Sequence, residues 1–325
     1  MMLNLTKFML TNTMMIGVIM TICSNNWISM WMGLEISMLS FIPLMINKKI
    51  KSPESMIKYF IMQSIASSMF LYSMIILLIG VNMNNEFLMN LSMIMKMGLA
   101  PFHNWMLLII ETMDYYVMFI MMTIMKIPPM VILIQCQNSA TLTSISLMSL
   151  LFSSISCVNQ SSVRKNLTYS SIFNNSLMLM SINSMNVVVL YMMIYSMSLM
   201  MTMLMMSIMK TNFVNQLMFN EFSIWMKMNF WLNMLSMGGF PSLIGFSAKM
   251  MILQEMIMKE QMILLLVVVL TSLLMIMFYT RMAFMSMMFY HTFNKWMLNL
   301  NKPVMFFMSM NLFTTPIFLT LLSIT

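Results

Sequence analysis

Charge is what this chain most lacks. Only 7% of its 325 residues are charged, against roughly 25% in an ordinary soluble domain. Sixteen Lys and Arg with eight Asp and Glu cannot solvate the surface of a 38.0 kDa globule. A soluble enzyme and a disordered chain are both excluded. Cysteine is scarce too: Cys23, Cys136 and Cys157 have no metal or redox spacing, which excludes a disulfide scaffold. There is no phosphate loop, no CxxC, no HExxH and no pair of mid-span histidines for haem. No cofactor and no redox chemistry of its own are expected. Alanine, arginine, glycine and proline number five, two, seven and eight, and all four have mostly G+C-rich codons.

What fills the chain is apolar. Hydrophobic residues make up 61%, and 59 residues are methionine. Methionine is frequent in A+T-rich DNA where AUA also encodes it, so the bias reads as mitochondrial encoding. A copper protein would cluster its thioethers beside Cys or His, whereas here Met is spread along every segment. The formal net charge of +8 comes without a basic stripe interleaved with aromatics, so no nucleic-acid partner is expected. The solvent this composition fits is a lipid bilayer.

A bilayer-crossing helix takes about 20 apolar residues. Such runs lie at about 5–24, 27–46, 56–80, 87–108, 115–135, 140–158, 166–184, 186–209, 228–256, 260–284 and 304–324. Residues 8 to 23 read as the first span and not as a signal peptide, since one Lys precedes them and no A-x-A site follows. The expected fold is all-α and polytopic, with eleven spans. Its basic residues segregate. Lys7, Lys48, Lys49, Lys51, Lys58, Arg164, Lys165, Lys210, Lys227, Arg281, Lys295 and Lys302 fall on the N-terminal side, and Lys259 alone on the other. The positive-inside rule then places the N-terminus and the basic loops in the mitochondrial matrix, and the C-terminus on the intermembrane-space side.

A faint repeat runs through this pattern. The fourth span contains Lys96-Met97-Gly98-Leu99-Ala100-Pro101-Phe102-His103; the ninth contains Gly238-Gly239-Phe240-Pro241-Ser242 and continues through Gly245 to Lys249. Both are Gly/Pro-interrupted, both carry a lysine at mid-depth, and they lie five spans apart. A five-span unit repeated in tandem is inverted, and inverted repeats with broken helices mark a transporter core. The expected halves are 1–135 and 136–285, within a single membrane domain, with 286–325 as a connection and an added helix.

Four ionisable groups sit where lipid penalises them: Glu35, Lys96, Lys126 and Lys249. Each costs roughly 2.5 to 3.5 kcal/mol on insertion scales, and such residues mark ion and proton pathways by default. The bland reading is a buried ion pair or a side chain snorkelling to the interface. Glu35 can neutralise one lysine, with Lys96 the expected partner, so lysines without a carboxylate remain. A lysine stripped of water holds its proton less firmly, as a relay requires. Ser37, Ser40, Gln63, Ser64, Ser67 and Ser68 read either as the lining of a water file or as helix contacts. So do Tyr169, Ser170, Ser171, Asn174, Asn175 and Ser176. His103 lies two turns beyond Lys96, placed to pass protons to Lys126 or simply to bond across helices. His291 reads as solvated, and Glu111, Asp114, Glu255 and Glu260 sit at span ends.

In order along the chain stand Trp31-Met32-Gly33-Leu34-Glu35, Phe41-Ile42-Pro43, Lys58-Tyr59-Phe60 with Gln63, and Lys96 through His103 with Trp105. Asn159-Gln160, Arg164-Lys165, Tyr169-Ser170-Ser171-Ile172 and Ser236 through Lys249 follow. Together, across about residues 27 to 285, they resemble the antiporter-like, proton-pumping membrane chains of mitochondrial NADH–ubiquinone oxidoreductase, respiratory complex I. The resemblance implies a core membrane-arm subunit whose proton path runs through Glu35, Lys96, Lys126 and Lys249, driven by quinone reduction elsewhere. It implies another antiporter-like chain and the small chain 4L as partners. The length resembles the animal form, which lacks the first three of fourteen bacterial spans. Three positions depart from the family pattern. Ile124-Met125 stands for Trp-Gln, Ser242 for a second proline, and Ala248 for the proline before the last lysine, which softens the expected helix break there. A free-standing cation/proton antiporter, and an assembly subunit with static ion pairs, are the alternatives.

Overall fold

The computed structural model describes residues 5–47, 50–80, 85–136, 139–219 and 224–287. Within them the regular structure is helical. In chain order it comprises α1 (Leu5–Cys23), α2 (Trp27–Leu44), α3 (Ser52–Ile79), α4 (Asn85–Met97), α5 (Asn104–Ile110), α6 (Tyr115–Met122) and α7 (Ile127–Cys136). Then come α8 (Ser139–Val158), α9 (Val163–Met180), α10 (Met185–Met209), α11 (Gln216–Phe219), α12 (Ile224–Gly238), α13 (Ile244–Met258) and α14 (Met262–Met287). The span expected at 304–324 lies outside the described residues, as do Lys48, Lys49, His291, Lys295 and Lys302. The chain divides within α8 into two compact units, Met1–Ser149 and Leu150–Thr325.

Seven segments among the described residues have the length and hydropathy to cross a membrane alone: Leu5–Cys23, Trp27–Leu44, Ser52–Ile79, Tyr115–Cys136, Thr141–Val158, Met185–Met209 and Met262–Met285. The other described spans fall short for physical reasons. α4–α5 and α12–α13 are each interrupted, so neither half is long enough. α9 carries Asn166, Asn174, Asn175 and five hydroxyl side chains, and it is buried along almost its whole length. A helix enclosed by its neighbours need not be apolar, because it does not meet lipid.

Each unit packs around its broken helices. In the first, α1 and α2 touch closely along small residues. A Cβ on Gly17 would come within 2.7 Å of the Ser37 nitrogen, and one on Gly33 within 2.8 Å of the Gly17 carbonyl oxygen. This is the small-residue packing that lets membrane helices associate. α3 then packs on α4 and α5, and α4 on α7. In the second unit α12 is held by α10, α13 and α14.

Contacts between connections are informative about topology. Asn47 Nδ2 donates to the Thr112 carbonyl at 3.1 Å, joining the second–third and fourth–fifth connections. Asn90 donates to Thr141 Oγ1 at 3.3 Å, joining the starts of α4 and α8. In the second unit Ser162 and Phe213 form an antiparallel bridge. Around it, Val163 N–H donates to Asn212 O and Val214 N–H to Ser161 O, both at 3.0 Å. Each contact links chain ends that strict alternation puts on one side.

Candidate functional site

Lys96 lies in the last turn of α4, which Gly98 ends. Gly98 takes a left-handed φ of 67°, its N–H donates to Met95 O at 3.1 Å, and Leu99 N–H donates to Ile94 O at 3.3 Å. This is a Schellman stop, for which glycine is suited because it has no Cβ. The final carbonyls of a helix have no partner within it, and here side chains from elsewhere supply them. Gln63 Nε2 donates to Lys96 O at 3.4 Å, and Lys126 Nζ donates to Met97 O.

Lys126 reaches that carbonyl from a second break. Pro128 and Pro129 lack the N–H groups that would bond Ile124 and Met125 one turn back. The chain tightens into a 3₁₀ turn, Ile124–Lys126, between α6 and α7. The fifth expected span is therefore not one continuous helix. The ammonium also lies 3.8 Å from Met106 Sδ and 5.9 Å from the Trp105 ring centroid, a cation–π approach. It sits at the C-terminal end of α4, where the helix dipole favours a cation. Lys126 is 2% exposed and Lys96 is 6% exposed.

Both lysines line one cavity, with Ser37, Tyr59, Gln63 and Trp105. Its volume open to water centres is about 20 Å³, and about 10 to 15 Å³ suffices for one water. Glu35, on α2, is half-buried. Its carboxylate acts through space on Lys96 and on Tyr59, without a direct ion pair. The expected contact pair is thus a charge held at a distance. Tyr59, not singled out in the sequence for a role, is wedged between Phe41 and Trp105 at centroid distances of 5.3 and 6.0 Å. His103 is buried at the start of α5 but does not line the cavity; Trp105 holds that position. Of the expected polar file, Ser37 and Gln63 line the cavity and Ser68 faces outward, while Ser37, Ser40, Ser64, Ser67 and Ser68 all donate to carbonyls of their own helices.

Lys249 belongs to the second unit. α12 stops as α4 does. Gly239 has φ 78°, its N–H donates to Ser236 O at 3.1 Å, and Phe240 N–H donates to Leu235 O at 3.1 Å. Lys249 Nζ donates to Gly238 O at 2.6 Å and lies 5.7 Å from the Phe173 ring centroid. A Cβ on Gly239 would stand 2.8 Å from that nitrogen, so the glycine supplies both the turn and the room. The break is complete without the family's extra prolines, because Gly239 and Pro241 suffice to stop α12. The geometric counterpart of Lys249 is Lys126 rather than Lys96, since both cap the last carbonyl of a broken helix. On α9, Ser170, Ser171 and Ser176 bond within their own helix, and Asn174 Oδ1 accepts from Tyr191 at 2.8 Å. Lys227, expected in a basic connection, is instead buried in the first turn of α12, because that helix begins before the apolar run does.

Comparison with known proteins places this arrangement. The sequence profile of the NADH:quinone oxidoreductase/Mrp antiporter transmembrane family matches residues 24–275. The chain belongs to that family. It is 33% identical to NADH-ubiquinone oxidoreductase chain 2 of Locusta migratoria over 339 residues, covering 98% of this chain and 99% of that one. It is 34% identical to the chain 2 of Anopheles gambiae over 300 residues, with 88% and 87% covered. In fold it is similar to a chain of the respiratory complex I of Thermus thermophilus. The TM-score is 0.80 at 19% identity, over 87% of this chain and 71% of the other. The two chains thus share their fold over the matched region.

Proposed function

We propose that the chain is a membrane-arm subunit of proton-pumping NADH:ubiquinone oxidoreductase, complex I, in the mitochondrial inner membrane. The family membership supports this, as do relatives named for that complex over nearly the whole chain. Another antiporter-like chain and the small chain 4L are its proposed neighbours, and its N-terminus is proposed to lie in the matrix. Redox chemistry takes place elsewhere, and this chain moves protons.

The observation that carries the reading is the shared cavity: two lysines, each almost fully buried, line one space large enough for water. Two ammonium groups in one poorly solvated cavity disfavour each other, as paired like charges do. One added proton is therefore held by the pair rather than by either lysine alone. Glu35, acting through space, biases it toward Lys96; the Met97 carbonyl at the end of α4 biases it toward Lys126. A change in the influence of Glu35, imposed by quinone reduction at a distance, hands the proton across one water. Lys249, on the equivalent carbonyl of α12, is the proposed far gate. The side chain of Asn175, fully buried and without a hydrogen-bond partner among the described residues, offers hydrogen bonds to water in the second unit. The test is Lys96→Met in the assembled complex. Loss of proton pumping coupled to NADH oxidation is expected; pumping at the wild-type level would overturn the proposal.

A further inference from the structure

Within the Leu150–Thr325 unit the interior is polar on one side of Lys249 and apolar on the other. The Ser162–Phe213 bridge joins the chain just before α9 to the chain just after α10. The starts of α9 and α12 therefore share one side, which carries Arg164, Lys165 and Lys210. Lys249 stands between the sides, its ammonium on Gly238 O and beside Phe173, near the middle of α9. Toward the basic side, buried amides and phenols follow one another. Asn233 and Asn229 lie on α12 five and nine residues before Gly238, roughly 8 and 14 Å along the axis, and both are fully buried. Asn229 Nδ2 donates to Met205 Sδ at 3.8 Å, a weak acceptor. On α9, Asn166 and Tyr169 are buried toward that side, and Asn174 and Asn175 at the level of Lys249. A Cβ on Gly238 would stand 3.1 Å from Tyr279 Cβ, and Tyr279 faces Ser170, one turn nearer the basic side than Phe173. Tyr195 faces Ser171 and Asn174.

The opposite side differs. Beyond Ser176 on α9, beyond Lys249 on α13, before Tyr191 on α10 and before Thr271 on α14, the buried side chains among the described residues are apolar with the exception of Ser181. Ser181 donates to Met178 O of its own helix. A cavity of about 430 Å³ opens on this side between α10 and α13, yet Leu190 and Met251, which line it deepest along those helices, are apolar. Buried amides and phenols are costly unless hydrogen-bonded, and internal water is their usual partner where the chain leaves bonding capacity over. An apolar constriction, by contrast, excludes water. We infer that Lys249 exchanges protons with the basic side alone, through waters held by the buried amides and phenols of α9, α12 and α14. Val188, Met251, Met256 and the apolar last turn of α9 seal it from the opposite side. The ammonium gives a proton to the nearest water, the file passes one on to the basic side, and the neutral amine is reloaded by the same route. This rests on the proton path proposed above and gives its far gate a direction.

The first test is the position of ordered waters in a structure of the intact complex in lipid. Waters are expected beside Asn233 and Asn229, and none among Leu179, Val188 and Met256. No water beside Asn233, or a chain of waters from Lys249 to the opposite side, would overturn the inference. The second test is the ratio of protons pumped to electrons transferred in vesicles, at matched subunit content. Asn233→Leu, similar in volume but without polar atoms, is expected to lower the ratio. Asn233→Ser, which keeps a hydroxyl and leaves room for water, is expected to retain most of it. An unchanged ratio in Asn233→Leu, or equal losses in both variants as a merely structural role would give, would overturn the inference. Loss in Lys96→Met without loss in Asn233→Leu sinks this inference alone, whereas no loss in either sinks the proton path itself. Should Asn233→Leu fail to assemble, the waters of the unaltered complex decide.

Discussion

Buried lysines define this protein at the scale of the residue. Lys126 and Lys249 each place an ammonium on the last carbonyl of a helix that stops at a left-handed glycine. The glycine and the lysine are therefore coupled. Gly239→Ala puts a methyl group 2.8 Å from Lys249 Nζ and adds about 1 to 2 kcal/mol for a non-glycine residue in the left-handed region. A lower yield of assembled complex and a lower thermal midpoint are expected, measured by native electrophoresis and a melting assay. Glu35→Gln removes a charge but no contact, so assembly should hold while pumping falls, and by less than in Lys96→Met. Proton uptake by vesicles during NADH oxidation measures this. The burial of Lys96, Lys126 and Lys249 was legible in the sequence because each lies inside an apolar run. Lys126 Nζ on Met97 O was not, since a hydrogen bond between positions 29 apart in the chain leaves no local trace. Lys227 was misread for a related reason: it flanks an apolar run, and only tertiary packing buries it.

Breaks are the devices at the scale of the element. Two were visible in the sequence as Gly and Pro inside apolar runs at 98–101 and 238–241. The third, at Ile124–Lys126, was overlooked although Pro128-Pro129 marks it. Those prolines sit in a segment so hydrophobic that it still reads as a single span. Proline acts one turn upstream of itself, so the distortion falls on Lys126. Replacing both with alanine, Pro128→Ala and Pro129→Ala, should let α6 and α7 join into one helix. The Lys126 ammonium then leaves Met97 O, and proton pumping should fall although the helix gains hydrogen bonds; the pump rate in vesicles, set against complex yield, reads both. A close-packed pair makes the opposite case. Gly33→Leu, between α1 and α2, leaves the proton cavity's own side chains in place but forces two backbones apart. Overpacking of this kind costs typically 1 to 3 kcal/mol or more, so reduced assembly is the expected outcome, read as subunit content of purified membranes.

Across the whole molecule, the charge asymmetry and the inter-loop contacts agree. The Asn47–Thr112 and Asn90–Thr141 contacts in the first unit, and the Ser162–Phe213 bridge in the second, join connections that alternation puts together. The apolar surface that composition demanded is also present, along the outer faces of α1 and α14 among others: Ile16, Ile19, Leu266, Leu270 and Met277 are each more than half exposed. Seven of the expected spans were legible as apolar runs of membrane-crossing length among the described residues, because a bilayer imposes one length on every crossing element. α9 escaped a hydropathy test for the reason that makes it interesting, which is that it is polar and enclosed. The central claim is that protons cross through the cavity shared by Lys96 and Lys126. Its most direct test is the ratio of protons pumped to electrons transferred in vesicles containing complex with Lys126→Met. A ratio clearly below wild type, at a subunit content that matches wild type, is expected. An unchanged ratio at unchanged turnover would contradict a proton path through this cavity.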